Sequence, residues 1–215
     1  MKLIPSFLLV VMFLFLNGCK PESAALPDNL AKAYGVDNFA KVNSIEFVFN
    51  VQKGDQQLAR HWKWYPKEKK VMLISPEGTE SYHQSPIMTK EEMEMDKKFI
   101  NDSYWLLFPL YVKWDRKNIL TLVEKDALSP IGKQKTTLLT VKFKNGDGYT
   151  PGDAYDLYLS EKNEIIEWAY RKGGGKDAKA MTWEGNKDFK GVKIATKHQN
   201  ASGDFKLWFD GIVVE

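Results

Sequence analysis

From Ser44 onward the chain alternates apolar and polar residues with a period of two, and turn residues interrupt the alternation every few positions. Ile45, Phe47, Phe49 and Val51 share one strand face. Trp62 and Trp64 share a face of the next, with His61, Lys63 and Tyr65 opposite. Val71 to Ile74 is a short apolar run that stops at Pro76-Glu77-Gly78. Leu120 and Leu122 follow, then Leu139, Val141 and Phe143, then Tyr155, Leu157 and Leu159, then Ile166, Trp168 and Tyr170. Met181 with Trp183, Val192 with Ile194, and Phe205, Leu207 and Phe209 complete the set. Asn145-Gly146-Asp147-Gly148, Glu161-Lys162-Asn163, Gly173-Gly174-Gly175, Gly185-Asn186 and Ser202-Gly203-Asp204 fall between the runs. A period of two places alternate side chains on opposite faces of a strand, and Gly, Asn and Asp clusters are turn formers. The pattern predicts an antiparallel meander of about ten or eleven strands.

Two helical stretches interrupt it. Asp28 or Asn29 is placed to cap a short helix with Leu30, Ala33 and Tyr34 on one face and Gly35 at its end. Thr89 followed by Glu92 is a capping-box pair, and Met93, Phe99, Ile100 and Tyr104 supply an apolar side. Pro109 is expected to end this second helix, because proline lacks the N–H and clashes with the preceding turn. Most strands are apolar on one face only, so the sheet has one face to bury. Two helices cannot cover it. The sheet is therefore expected to curl around its own apolar face as a barrel or a partly closed one. A barrel of that width either fills with side chains or holds one apolar ligand, and the pattern leaves both outcomes open.

The N-terminus carries a different signal. Lys2 precedes an unbroken apolar run from Phe7 to Leu16, and Asn17-Gly18-Cys19 follows at once. A charged start, a short apolar core and small residues make a secretory signal peptide. The run is shorter than the roughly 20 residues a membrane-spanning helix needs. Cys19 is the only cysteine, so it has no internal disulfide partner. Leu16-Asn17-Gly18-Cys19 resembles the lipobox of bacterial lipoproteins, whose cysteine is acylated and becomes the mature N-terminus. The expected organisation is residues 1–18 as signal, 19–27 as a tether with two prolines, and 28–215 as one domain. The charges are nearly balanced, 31 basic against 28 acidic, which argues against a nucleic-acid partner.

The segments Asn101-Asp102-Ser103-Tyr104-Trp105-Leu106-Leu107-Phe108-Pro109 and Trp183-Glu184-Gly185, set in this order of elements, resemble the bacterial LolA/LolB-like lipoprotein-carrier superfamily, in its Bacteroidetes-type lipoproteins. The resemblance implies an unclosed half-barrel with a central helical lid over a hydrophobic cavity, and binding of lipid or of an acylated protein's chains. It implies a monomer in the cell envelope, lipid-anchored. The soluble carrier of that superfamily lacks an anchor, so a shuttle role does not fit this chain. Lys20 after the cysteine, by analogy with lipoprotein sorting, points to the outer membrane facing the periplasm.

Catalytic chemistry finds no motif. His61, His83 and His198 are far apart in sequence, and no second cysteine accompanies them, so no metal is expected. Gly173-Gly174-Gly175-Lys176 lacks the phosphate-loop spacing and reads as a hairpin loop. No Gly-x-Ser-x-Gly nucleophile motif occurs. Glu91, Glu92, Glu94 and Asp96 sit in the first turns of a helix, where the helix dipole and solvent explain them. No cofactor is expected, and a non-enzymatic role is.

The aromatic residues remain. Trp62, Trp64, Trp105, Leu107, Phe108, Trp168 and Trp183 are candidate walls of a hydrophobic site, and each is also an ordinary core residue candidate. A charged residue at Leu107 or Phe108 is expected to weaken acyl binding while the domain survives. Two functions compete. One is a lipid-binding lipoprotein using the concave face. The other is an envelope glycan- or protein-binding module with a packed barrel and exposed tryptophans. Tryptophans facing the concavity favour the first, and an interior filled by the protein's own side chains favours the second.

Overall fold

A computed structural model describes residues 22–146 and 148–215. The expected signal peptide and Cys19 lie outside the described residues. The elements, in chain order, are α1 (Glu22–Ala33), α2 (Val36–Phe39), β1 (Ile45–Lys53), β2 (Gln56–Tyr65), β3 (Lys70–Ser75), β4 (Gly78–His83), α3 (Lys90–Trp114), β5 (Ile119–Leu128), β6 (Lys135–Phe143), β7 (Ala154–Leu159), β8 (Ile165–Arg171), β9 (Ala178–Thr182), β10 (Lys187–Phe189), β11 (Val192–Ile194), β12 (Lys197–Gln199) and β13 (Phe205–Val214). Every pairing is antiparallel.

The first sheet has the order β12-β13-β1-β2-β3-β4 and the second β5-β6-β7-β8-β9. Together they hold eleven strands, and with the hairpin of β10 and β11 the described residues form thirteen, against the ten or eleven expected. β10 and β11 form a separate hairpin. The two sheets meet where Glu184, just past β9, bridges Lys197 of β12, and the Gln199 N–H donates to Thr182 Oγ1 at 3.0 Å. At the other side β4 and β5 are the outer strands of their sheets and do not pair. The fold is thus mainly β and unclosed, with α3 as the connection between the two open edges.

α3 opens on the expected capping box: Thr89 Oγ1 accepts from the Glu92 N–H and Glu92 Oε2 accepts from the Thr89 N–H. It does not end at Pro109. The backbone leaves helical geometry at Leu107 (φ −129°, ψ 18°) and the helix resumes to Trp114. Pro109 falls in the first turn of the resumed segment, where a missing N–H has no helical partner to lose. A second departure is at the start. α1 begins at Glu22, so residues 22–27, expected as tether, belong to the fold. Leu26 joins Leu30 one turn on as a buried anchor, and Asp28, expected as a cap, instead pairs with Lys113 of α3 at 2.6 Å.

α1 stops at Gly35, whose φ of +80° needs glycine. A Cβ there would lie 1.9 Å from the Gly191 carbonyl oxygen, so the α1–α2 corner presses directly onto the β10–β11 turn. The core is one cluster that runs from α1 through both sheets to α3, with Leu30, Phe47, Trp62, Phe99, Phe108, Leu139, Leu157 and Ile194 fully buried in it.

Candidate functional site: the groove under the central helix

α3 lies in the concave face and touches aromatic walls from both sheets. Phe99 meets Trp62 and Trp64 of β2 edge-on, each at 5.5 Å between ring centroids. Trp105 meets Trp168 of β8 at 4.5 Å and His198 of β12 at 5.5 Å. Phe108 packs on Tyr155 of β7 at 4.5 Å and on Trp168 at 5.3 Å. Trp183 completes this wall, 5.3 Å from Trp168 and 4.4 Å from His198. Trp62, Trp64, Trp105, Phe108 and Trp168 therefore line the contact between α3 and the sheets, Trp183 backs Trp168, and Leu107 joins the same core. Trp62, Trp64, Leu107, Phe108, Trp168 and Trp183 are buried and Trp105 is half-buried.

The groove is filled. Phe99, Leu106, Leu107, Phe108 and Leu110 of α3 are each at most 1% exposed. Two shallow hollows open at the surface instead. One, about 260 Å³, is lined by Val36, Phe39, Ala40, Trp64, Pro66 and Trp114. The other, about 460 Å³, lies beside Leu26, Val123 and Leu159 with Lys125, Asp126 and Lys135 at its rim. Leu107 and Phe108 are core residues, so a charge placed there costs the fold its packing. The expectation that such a change would be cheap is corrected.

Sequence reading missed the polar fastening of α3. Asp102 is fully buried and accepts two hydrogen bonds of 2.6 Å from Nε and Nη2 of Arg60, one of 2.8 Å from Trp62 Nε1 and one of 3.0 Å from Asn101 Nδ2. A bidentate arginine and an indole satisfy a buried carboxylate that would otherwise be expensive. Asp96, one and a half turns earlier, was expected to be solvated and is 1% exposed. It accepts from Tyr82 Oη at 2.7 Å, from Gln84 Nε2 at 3.0 Å and from Tyr149 Oη. Tyr149 comes from the β6–β7 loop, so Asp96 joins α3 to both sides of the open seam. Burial, reinforced by the neighbouring Asp96 carboxylate, pushes the Tyr82 phenol well above its usual range. The available signal was a carboxylate at two positions six apart inside an otherwise apolar helical stripe.

The remaining titratable groups are structural. Glu167 is buried and accepts from Ser129 Oγ at 2.9 Å and from the N–H groups of Ile131 and Gly132 at 2.7 Å, which pins the β5–β6 loop. His61 bonds Glu46 at 2.8 Å on the outer side of β2. His198 donates from Nδ1 to the Thr182 carbonyl at 3.1 Å, and burial pushes its imidazole down to about 3. Among the described residues no group of three His, Cys, Asp or Glu side chains is placed to hold a metal.

No family model and no curated protein matches this sequence. Solved structures do share the architecture. A DUF1329 family protein from Desulfovibrio piger superposes with a TM-score of 0.51 at 10% identity, over 91% of this chain and 94% of that one. A domain assigned as an outer membrane lipoprotein-sorting protein from Vibrio parahaemolyticus superposes with a TM-score of 0.44 at 10% identity, over 86% of this chain and 93% of that one. At such identity the first likeness is one of fold alone.

Proposed function

We propose that this protein is a non-enzymatic envelope lipoprotein, anchored through Cys19 at the periplasmic face of the outer membrane, that binds the alkyl part of a lipid or acylated protein in its half-barrel. The observation that carries the reading is that one helix, and not the sheet itself, covers the concave face. Trp62, Trp64 and Trp168 face that helix, which is the orientation a hydrophobic site requires.

Because the groove is filled, ligand and α3 compete for the same walls. The apolar terms of the exchange are of similar size, and the polar bonds of Asp96 and Asp102 are held in addition. Burying a large apolar side chain contributes about 1.5–3 kcal/mol, so five of them hold α3 with about 7–15 kcal/mol. An alkyl chain gains about 0.8 kcal/mol per buried CH2, so about fourteen carbons return about 11 kcal/mol. The rival, a surface-binding module, is favoured by the filled interior, but Trp62, Trp64 and Trp168 are turned away from solvent.

The test uses the full chain, purified gently from its own host, in native mass spectrometry and in titration with a fluorescent acyl probe. Bound lipid or saturable probe binding is expected. Asp102→Asn weakens the fastening of α3 and is expected to tighten probe binding several-fold. A protein that carries no lipid and binds no probe, either as wild type or as this variant, overturns the reading.

A further inference from the structure

The hollow beside Trp114 lies outside the groove and has a chemistry of its own. Its lining of Val36, Phe39, Ala40, Trp64, Pro66 and Trp114 is apolar, and Trp114 at 39% exposure presents an indole to solvent. That indole is held in place, with Phe39 at 4.9 Å, Tyr111 at 5.0 Å and Trp64 at 6.3 Å between centroids. Lysines stand on the neighbouring segments. Lys67 Nζ donates to the Lys41 carbonyl at 3.3 Å and to Asn43 Oδ1 at 2.7 Å, which fixes an ammonium group between α2 and the β2–β3 turn. Lys69 occupies the same turn with a left-handed φ of 54°, and Lys41 is exposed just after α2. The acidic side chains of α2, the β2–β3 turn and the end of α3 are Asp37 and Glu68, both exposed, and Asp115, which is half-buried and accepts from Tyr104 Oη at 3.5 Å, while Arg116 and Lys117 beside it are exposed cations. Glu46 is engaged by Lys63 at 3.0 Å, and Glu215 accepts from Ser44 Oγ at 2.9 Å.

A rigid, half-exposed indole over an apolar notch suits the boundary between alkyl chains and headgroups, where tryptophan concentrates. Lysines on the flanking segments suit anionic phosphates. We propose that the face formed by α2, the β2–β3 turn and the end of α3 docks on an anionic lipid bilayer, with Trp114 and its notch entering the interface and Lys41, Lys67 and Lys69 meeting the headgroups. This surface is separate from the groove, so it orients the molecule on a membrane whatever the groove holds.

The full-length protein is reconstituted with phosphatidylcholine vesicles and with vesicles that also contain phosphatidylglycerol, both with and without brominated acyl chains. Quenching of Trp114 is read as the difference between wild type and Trp114→Phe. Quenching is expected with phosphatidylglycerol and to fall as salt rises. A lysine near an anionic surface is worth about fivefold in partitioning, so Lys41→Glu, Lys67→Glu and Lys69→Glu together are expected to lower it by about a hundredfold or more. These side chains lie on the surface, so an unchanged melting temperature is expected. The same reversal at Lys176, Lys179 and Lys187 is expected to leave Trp114 quenching in place. Acyl-probe binding in solution is expected to survive the first triple variant, which separates failure of this face from failure of the groove. Equal quenching in the two vesicle types, or equal loss with the control reversal, overturns the proposal, and so does capture of an acidic protein with no vesicle binding.

Discussion

His198 is a neutral imidazole in the core, and its acid behaviour follows from that. Its proton affinity is depressed to about 3 in the folded chain against 6.5 for an ordinary histidine. Between these values the unfolded chain binds a proton that the native state refuses. The stability that depends on neutral His198 is therefore complete above pH 6.5 and is lost progressively as pH falls towards 3. Urea midpoints measured from pH 7 to pH 4 are expected to fall less steeply in His198→Phe than in the wild type, and parallel curves would reject the assignment. Arg60 supports a second residue-scale prediction. Removing it leaves the Asp102 carboxylate buried without its charge partner, and breaking such a pair costs about 3–5 kcal/mol. Arg60→Ala is expected to lose that much in chemical denaturation. Lys97→Ala, which removes an exposed pair with Glu94, is expected to leave the denaturation midpoint nearly unchanged. Equal losses would show that the Asp102 site is not a fastening.

The elements show which parts of the fold were legible in the sequence. Strands with a continuous apolar face, such as β1, β6 and β7, were readable because burial itself imposes period two. β4 was not, since of its six residues only Tyr82 is buried and the rest read as loop. β10 and β12 have three residues each, too few for a period to show. In β8 the face was misplaced. A register shift opposite Tyr158 and Leu159 brings Ile165 inward beside Trp168, where alternation pointed to Ile166. The site divides the same way. The aromatic walls were visible by type, and Asp96 and Asp102 showed only as carboxylates among apolar residues of α3, while Arg60 was not visible, because pairing across 42 residues leaves no local trace. α3 gives the prediction at this scale. A proline in a helix interior costs about 3 kcal/mol, so its replacement by alanine would be strongly stabilising there. In a first turn it costs little, and Pro109→Ala is expected to change the melting temperature only slightly. A large stabilisation would place Pro109 inside one continuous helix.

At the scale of the molecule, attachment and assembly are separate matters. If Cys19 is the acylated N-terminus, Cys19→Ala is expected to release the protein from the membrane fraction or to block its processing. Unchanged fractionation with normal processing would reject the anchor. The assembly itself hinges on β13, which lies inside the first sheet between β1 and β12 and pairs with β1 along its length. Asn50 and Asp210, which hydrogen-bond across this pair at 3.1 Å, are 160 residues apart in sequence. The two-residue β1–β2 hairpin closes early, but its other edge waits for a strand delivered only after the whole second sheet. Such distant pairings make folding slow. If the chain is exported through a membrane channel, as proposed, the first sheet cannot complete until residues 205–214 have crossed, because β13 supplies one of its inner strands.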